Sequence, residues 1–313
     1  MKELFFGFVS TLWAIGSMLM RLLYDLNLLK RIRLSVPVIS IGNIQVGGAG
    51  KTPLTILVAR EFLKLGKTPV ILTRGYQSIA EDQFKVIAPS EKEVSVDWVG
   101  DEAALLHDQV NEAWIGVGSD RAFSFKKVCD EMKKVGVSPS VAILDDGFQH
   151  HRIERDIDLV AVTDLEWGEA IFRDFFSVLN RKGVLKVFTK GDISKSPGHD
   201  FSVNWIYPTP EPSIRYHLVT GIASPEKARS SLLKQGFNIV KHLEFRDHAR
   251  YDRSYVQGVI DFAQEQGMRV LLTGKDWVKW RDLGVKKEQV TCVEPRLEFV
   301  EREAFLKILP LSS

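Results

Sequence analysis

A glycine-rich turn carries the strongest chemical signal in this sequence. Residues 38–44 form an apolar run typical of a β-strand, and residues 47–53 read Gly-Gly-Ala-Gly-Lys-Thr-Pro. Glycines let backbone N–H groups close around phosphate oxygens, a lysine reaches the β- and γ-phosphates, and a threonine hydroxyl can ligate Mg²⁺. The turn therefore predicts a nucleoside triphosphate site. Its predicted nucleotide-binding residues are Gly47, Gly48, Ala49, Gly50, Lys51 and Thr52.

The turn departs from the strict phosphate-loop pattern at one position. That pattern has a glycine where this chain has Gln45, whereas Gly50, Lys51 and Thr52 are in register. Every position with a mechanical role in phosphate binding is kept. We therefore interpret the segment as a phosphate loop rather than as a plain strand-to-helix turn.

A pair of neighbouring carboxylates is the second signal. The apolar run 141–144 ends in Asp145 and Asp146. A carboxylate at the end of a strand beside a phosphate loop can reach the water shell of Mg²⁺. Successive side chains point to different faces, so one aspartate can address the metal while the other orients the loop. A zinc site with His150 and His151 is the alternative, but no cysteine or distant histidine pair completes it.

Two further positions allow both a structural and a chemical interpretation. Asp101 and Glu102 follow Gly100 at the start of a predicted helix, where they can cap the helix or place a base near the phosphates. Arg121 follows another strand end, where it can bind an anionic group or only cover the surface. The sequence leaves these alternatives open.

The elements that position these residues alternate between strand and helix. Apolar strand-like runs recur at 69–73, 114–117, 141–144, 159–162 and 184–188, with helical segments between them. This alternation predicts an α/β fold with a doubly wound, mostly parallel sheet, in which ligands bind at the carboxyl ends of strands. A proline-rich connector at 207–212 precedes renewed alternation. We expect a P-loop kinase core over 35–213 and a smaller C-terminal α/β lobe over 214–313, which could close over ATP and exclude water.

The N-terminus is the compositional outlier. Residues 4–20 carry no charge, and Arg21, Lys30, Arg31 and Arg33 follow. This run is at the short end of what spans a bilayer. A secretory signal is disfavoured because no small-x-small cleavage site follows, and a buried helix is the other alternative. We expect residues 1–34 to form a membrane-associated helix and basic segment, either spanning or lying in the interface, with the catalytic domain in the cytoplasm.

Composition excludes some functions. The chain has 313 residues, 45% of them apolar, and a net charge of +2. No basic run or aromatic–basic interleaving indicates nucleic acid. Cys129 and Cys292 are far apart in sequence and form no metal-ligand or redox pair, which fits a reducing compartment.

These motifs together resemble the tetraacyldisaccharide 4′-kinase (lipid A 4′-kinase) family of Gram-negative bacteria. The resemblance extends over nearly the whole chain in the right order, and the Asp-Asp-Gly-Phe-Gln-His run beside the glycine-rich loop is its most specific part. The matching segments are 41–53, 73–76, 100–102, 120–121, 144–150, 221–225, 245–248 and 272–276.

The resemblance implies an inner-membrane lipid kinase. Such an enzyme transfers the γ-phosphate of ATP to the 4′-hydroxyl of an acylated glucosamine disaccharide phosphate, with ATP and Mg²⁺ as cofactors and no obligate protein partner. It implies Asp101 as the base, His248 as its partner and Lys51 as a catalytic residue. The implied metal-binding residues are Thr52, Asp145, Asp146 and Glu102, and the implied substrate-binding residues are Asn43, Arg74, Tyr76, Arg121, Gln149 and Arg173.

Three departures and two competing functions remain. The family's Leu-Pro-Ala-Gly-x-Leu-Arg-Glu-Pro stretch is shortened to residues 167–175, where Arg173-Asp174 is the remnant of the Arg-Glu pair. The familiar Pro-Asp-His-His becomes Arg-Asp-His-Ala at 246–249. The family's Thr-Thr-x-Lys-Asp becomes Leu-Thr-Gly-Lys-Asp at 272–276.

The alternative function is a membrane-associated ATPase switch of the partitioning type, but such switches carry a lysine where this chain has Val46. A membrane-anchored scaffold with a degenerate nucleotide site is the other competing function, and the intact Lys51, Thr52 and Asp145 argue against it.

Overall fold

The structure is a computed structural model that describes most of the chain. The described residues are 16, 19–20, 22–26, 28–44, 48–92, 94–148, 150–164, 183–196 and 198–310. Three predicted site residues, Gly47, Gln149 and Arg173, lie outside the described residues, as does most of the predicted helix at 4–20.

Nine strands form the larger sheet. They are β1 (Val38–Asn43), β2 (Pro69–Thr73), β3 (Lys85–Ile87), β4 (Trp114–Val117), β5 (Val141–Leu144), β6 (Ile157–Thr163), β7 (Val184–Lys190), β8 (Phe201–Ile206) and β13 (Arg296–Phe299). Their order is β13-β8-β7-β6-β1-β5-β2-β4-β3. Only the edge pairs β3–β4 and β13–β8 are antiparallel. The predicted doubly wound, mostly parallel sheet is confirmed.

Helices cover both faces of this sheet. They are α1 (Lys51–Lys64), α2 (Ala80–Gln83), α3 (Val96–Val99), α4 (Asp101–Gln109) and α5 (Arg121–Lys134). Alternate residues of the strands point to opposite faces. Ile39 and Ile143 accordingly pack in one core with Leu57 of α1, whereas Val38 and Leu144 pack in another with Phe125, Val128 and Met132 of α5. Burial on both faces explains why these strands are apolar throughout rather than alternating.

A second, all-parallel sheet forms the smaller lobe. Its strands are β9 (Arg215–Thr220), β10 (Asn238–Glu244), β11 (Arg269–Thr273) and β12 (Val290–Val293), in the order β10-β9-β11-β12. Its helices are α6 (Pro225–Lys234), α7 (Arg253–Glu265) and α8 (Gly274–Asp282). Within the described residues, two 3₁₀ turns are also present, at Ile193–Lys195 and Lys287–Gln289.

The end of the chain returns to the larger sheet. β13 pairs with β8, and α9 (Arg302–Ile308) follows it. Phe299 stacks on Phe305 at 3.9 Å between ring centroids, and Phe201 of β8 meets Phe305 edge-on at 5.6 Å. The division at about residue 213 stays a prediction, but residues 296–308 pack with the first lobe, since β13 pairs with β8 and Phe305 contacts Phe201.

The N-terminal segment exposes apolar side chains. Leu19, Leu22, Leu26 and Leu28 are each about half exposed or more. Within the described residues, we find no helix with the length and apolar character needed to span a bilayer.

Candidate active site

The glycine-rich turn leads directly into α1. Gly50 is the N-cap residue and has φ 78°, a left-handed conformation that glycine adopts without strain. Thr189 Oγ1 donates a hydrogen bond of 2.7 Å to the carbonyl of Ala49, and Trp205 Nε1 donates one of 2.5 Å to the carbonyl of Thr189. The ends of β7 and β8 therefore hold the turn in place.

Lys51 lies between β1 and the turn that follows β5. Its Nζ is 3.0 Å from Asp146 Oδ1 and 3.2 Å from Asn43 Oδ1. Asn43 is almost fully buried. The structure thus brings three predicted site residues together, and it places Asn43 against the lysine rather than at an open surface.

The carboxylate pair follows β5 at the same edge of the sheet. Asp145 is buried and accepts a hydrogen bond of 2.7 Å from Thr55 Oγ1 of α1. Burial, together with the nearby charge of Glu102, raises the pKa of Asp145 to about 7. Burial also raises the pKa of Glu102. Asp146 has φ 47°, a conformation that is costly for a residue with a side chain and is typical of functional sites.

A close approach of the backbone fixes this turn. A Cβ atom on Gly42 would lie 2.4 Å from Cβ of Phe148, and the amide of Gly147 donates to the carbonyl of Ile41 at 2.8 Å. Glycine at position 42 therefore lets the turn at 145–148 pack directly on the end of β1.

The oxygen donors at this edge fit a divalent metal. Carboxylates and a hydroxyl are ligands that Mg²⁺ prefers. The charge of Glu102 helps to raise the pKa of Asp145, and burial together with the charges of Asp101 and Asp146 raises the pKa of Glu102. A bound cation would neutralise this negative charge. Thr52 is the second residue of α1 and carries a hydroxyl of the same donor type.

Asp101 is the centre of a second charged cluster. It is buried at the start of α4, and its Oδ2 lies 3.1 Å from His248 Nδ1, 3.1 Å from Lys279 Nζ and 3.6 Å from Lys275 Nζ. Burial would raise the pKa of Asp101, but the His248 hydrogen bond and the two lysine charges outweigh it and hold that pKa far below its usual range. Asp101 is therefore ionised at any physiological pH.

The partners of Asp101 come from the smaller lobe. Lys275 Nζ also lies 3.1 Å from Asp247 Oδ1 and 3.4 Å from His248 Nε2. The hydrogen bond to Asp101 raises the pKa of His248. His248 has φ 58°, and its ring meets that of Tyr76 edge-on at 5.5 Å. A cleft of about 190 Å³ lies beside these residues, and Tyr76, Asp101, His248 and Lys279 line it.

Comparison with known proteins identifies the family. The model of the tetraacyldisaccharide-1-P 4′-kinase family, LpxK, matches residues 3–171 and 203–311. This chain belongs to that family. A tetraacyldisaccharide 4′-kinase of Pelobacter propionicus is 31% identical, with 93% of this chain and 86% of that protein covered. One of Desulfotalea psychrophila is 30% identical, with 87% and 86% covered.

A solved structure shares the fold. The crystal structure of LpxK from Aquifex aeolicus in complex with ATP superposes with a TM-score of 0.78, at 24% identity, and 98% of each chain is covered. The kinase fold thus extends over both lobes of this LpxK-family chain.

The remaining predicted residues of this family member have the following positions. Arg74 is exposed and pairs with Glu81 at 2.6 Å. Tyr76 lies on the cleft. Arg121 is buried, and burial lowers its pKa although the charges of Asp145 and Asp146 oppose that shift. Arg121 is thus close enough to the carboxylate pair to act with it, rather than only covering the surface.

The structure of this LpxK-family chain places four residues at the candidate site to which the sequence alone assigned no role. Thr55 lies one helical turn after Lys51, and Lys279 lies one turn after Lys275 in α8. Lys275 belongs to a segment that carries the family resemblance, so the signal was present without an assigned role. Thr189 begins a short Thr-Lys-Gly-Asp run that resembles a nucleotide-base loop only weakly.

Proposed function

We propose that this chain transfers the γ-phosphate of ATP to the 4′-hydroxyl of a tetraacyldisaccharide 1-phosphate, giving lipid IVA for lipid A biosynthesis. Membership of the kinase family and the names of its relatives support this reaction. The observation that carries it is the position of Glu102. The charges of Lys51 and Asp146, and those of Asp101 and Lys275, all act on the pKa of Glu102, so the phosphate-loop and Asp101 clusters are neighbours.

The phosphate-loop cluster and the Asp101 cluster have different roles in phosphoryl transfer. Lys51 and the turn at 48–50 position the triphosphate, and Arg121 adds positive charge beside the carboxylate pair. Thr52, Asp145, Asp146 and Glu102 are the residues that would hold Mg²⁺, which neutralises phosphate charge when bound. Such positioning and charge stabilisation account for most of the catalysis in phosphoryl transfer.

Asp101 and His248 handle the proton of the sugar hydroxyl. The attacking hydroxyl needs orientation and a proton acceptor rather than strong activation, because the transition state is loose. Asp101 is ionised before the reaction, so it can accept a hydrogen bond from the hydroxyl and orient it, while His248 holds the carboxylate in place. Because its pKa is low, the carboxylate takes up the proton late, once bond formation to phosphorus has made the hydroxyl strongly acidic. In this structure His248 Nδ1 lies 3.1 Å from Asp101 Oδ2.

A transfer assay tests the proposal. Purified chain is incubated with [γ-³²P]ATP, Mg²⁺ and tetraacyldisaccharide 1-phosphate in detergent, and the lipids are separated by charge. We expect a labelled bis-phosphorylated lipid. If ATP is hydrolysed and the lipid stays unlabelled, the partitioning-type ATPase switch replaces the kinase.

The membrane location is part of the proposal. Exposed leucines at 19–28 precede the basic residues Lys30, Arg31 and Arg33, an arrangement that suits an interface with anionic headgroups. Deleting residues 1–20 should move the protein from the inner-membrane fraction to the soluble fraction. Retention of the truncated protein on membranes at high salt would assign the anchor to another surface.

A further inference from the structure

Three side chains of the smaller lobe form a cluster that the kinase reaction does not use. Glu226 lies in the first turn of α6, and His242 and Glu244 lie on β10. His242 and Glu244 are two residues apart on a strand, so they share one face. One ligand atom from each residue lies within 4.8 Å of the others. We call this set the Glu226–His242–Glu244 cluster.

The imidazole of His242 is buried and fixed at one nitrogen only. Its side chain is 8% exposed. Nε2 lies 2.8 Å from Thr220 Oγ1 at the end of β9. Nδ1 is 3.3 Å from Glu244 Oε1 and 3.6 Å from Glu226 Oε1, yet it makes no hydrogen bond.

Neither neutral tautomer satisfies this arrangement, so the two carboxylates favour positive charge at Nδ1, supplied by a proton or by a metal ion. If Nε2 donates to Thr220, the lone pair of Nδ1 faces two carboxylate oxygens and is repelled by them. If Nδ1 carries the proton, no carboxylate oxygen lies in hydrogen-bonding geometry to receive it. A buried polar atom that faces charge without a partner costs free energy.

We propose that the Glu226–His242–Glu244 cluster binds one divalent transition-metal ion of the zinc class. Ligand bonds of about 2.0–2.2 Å in tetrahedral geometry place neighbouring ligand atoms about 3.3–3.6 Å apart. The two distances from Nδ1, 3.3 and 3.6 Å, match this spacing. A water molecule would complete the four ligands.

The surroundings of the cluster fit a zinc-class ion better than Mg²⁺. Imidazole nitrogen suits zinc, whereas Mg²⁺ prefers oxygen alone. Thr220 holds the second ring nitrogen, as an outer partner does for most metal-bound histidines. Arg229 lies 3.6 Å from Glu226 Oε2, the oxygen that does not face His242.

A metal ion bound at this cluster would link elements at the edge of the smaller sheet where the strands have their carboxyl ends. It would tie the start of α6 to the ends of β9 and β10. Gly221, which follows Thr220, donates its amide to Asp276 at 3.0 Å, and Asp276 is the neighbour of Lys275 in the Asp101 cluster. The bound metal therefore stabilises the lobe that supplies the partners of Asp101.

Metal titration of the full chain tests the proposal. Protein stripped with a chelator is titrated with Zn²⁺, with millimolar Mg²⁺ present to occupy the carboxylates of the phosphate-loop site. Co²⁺ is used as a spectroscopic probe. We expect one equivalent of Zn²⁺ to bind, a visible Co²⁺ absorption typical of four ligands including nitrogen, and a rise in Tm on loading.

Matched variants locate the ion. Glu226→Gln and Glu244→Gln should weaken Zn²⁺ binding about tenfold or more. Glu265→Gln, the same change at an exposed site in the same lobe, should leave it unchanged, as should Asp145→Asn. Because Glu226 is exposed, its variant is expected to fold even if His242→Gln does not. Equal Zn²⁺ affinity in all these variants, or loss only in Asp145→Asn, would overturn the proposal.

Discussion

Two buried aspartates of the larger lobe, Asp101 and Asp145, lie in opposite electrostatic environments. Asp101 is surrounded by His248, Lys275 and Lys279, and its pKa is held far below the usual range. Asp145 is buried near the carboxylate of Glu102 and accepts a hydrogen bond from Thr55. Burial and the Glu102 charge raise its pKa to about 7. Near pH 7, Asp101 is thus ionised, whereas Asp145 without a bound cation is about half protonated.

The contrast separates two roles within one active site. A carboxylate compensated by lysines can orient a hydroxyl and accept a proton without binding metal. A carboxylate with uncompensated charge nearby is stabilised by a divalent cation. Because the cations around Asp101 belong to the smaller lobe, the packing of that lobe determines which of the two roles Asp101 can have.

The largest expected effect is the loss of the phosphate-loop lysine. Lys51→Ala should reduce phosphoryl transfer to the background of the lipid assay, because the triphosphate loses its positioning charge. Lys64→Ala changes a lysine at the other end of the same helix, where it pairs with Glu61, and should retain wild-type turnover. Turnover of Lys51→Ala within a few-fold of wild type would remove the phosphate loop from the mechanism.

The next effect tests the proton-handling role of Asp101. Asp101→Ala should lower kcat by about 10²- to 10⁴-fold, the usual span for a positioned base, with little change in ATP affinity. His248→Ala should also lower kcat, and the double variant should lose less than the product of the two losses if the residues act as a unit.

An Mg²⁺ titration of the Asp101 variant sharpens the comparison with Asp145. Raising the Mg²⁺ concentration should leave the rate of Asp101→Ala low, whereas Asp145→Asn should recover part of its activity. If Mg²⁺ instead restores Asp101→Ala and its ATP binding is weak, Asp101 belongs to the metal site and the distinction between the two aspartates fails.

The strand ends and their motifs could be predicted from the sequence because their signals are local. The apolar runs before Asn43 and Asp145 must be strands buried on both faces, and the glycine turn before Lys51 has a local conformational requirement. Parallel strands then bring these ends to one edge. This reasoning placed Lys51, Asp145 and Asp146 together without any knowledge of the other lobe.

The contacts between distant segments could not be predicted in the same way. Lys279 is a charged residue in a helix that reads as an ordinary surface element, and only the packing of α8 on α4 buries it beside Asp101. The short strand β13 pairs with β8 across a lobe that lies between them in sequence. Such pairings depend on the tertiary arrangement, so neither periodicity nor composition indicates them.

The smallest expected effect is on stability, and it has opposite signs at the two aspartates. An unfolded aspartate has a pKa of about 4. Folded Asp145 has a higher pKa, so without Mg²⁺ its contribution to stability falls as the pH rises from about 4 to about 7. Folded Asp101 has a lower pKa, so its contribution is present above about pH 4 and is lost as the pH falls through the folded value.

Neutral variants should therefore shift Tm in opposite directions. At pH 8 in chelator, Asp145→Asn should raise Tm by about 5 °C, because it removes a charge that burial and the neighbouring Glu102 carboxylate disfavour. Asp101→Asn should lower Tm by a similar amount, because His248, Lys275 and Lys279 lose their counter-charge.

At pH 5 the gain from Asp145→Asn should shrink, since the wild-type carboxyl is then protonated, while the loss from Asp101→Asn should persist. Mg²⁺ at pH 8 should stabilise the wild type and reduce the advantage of Asp145→Asn. Thermal melts followed by circular dichroism measure all three conditions, and a shift of the same sign for both variants at pH 8 would contradict the opposite environments of the two aspartates.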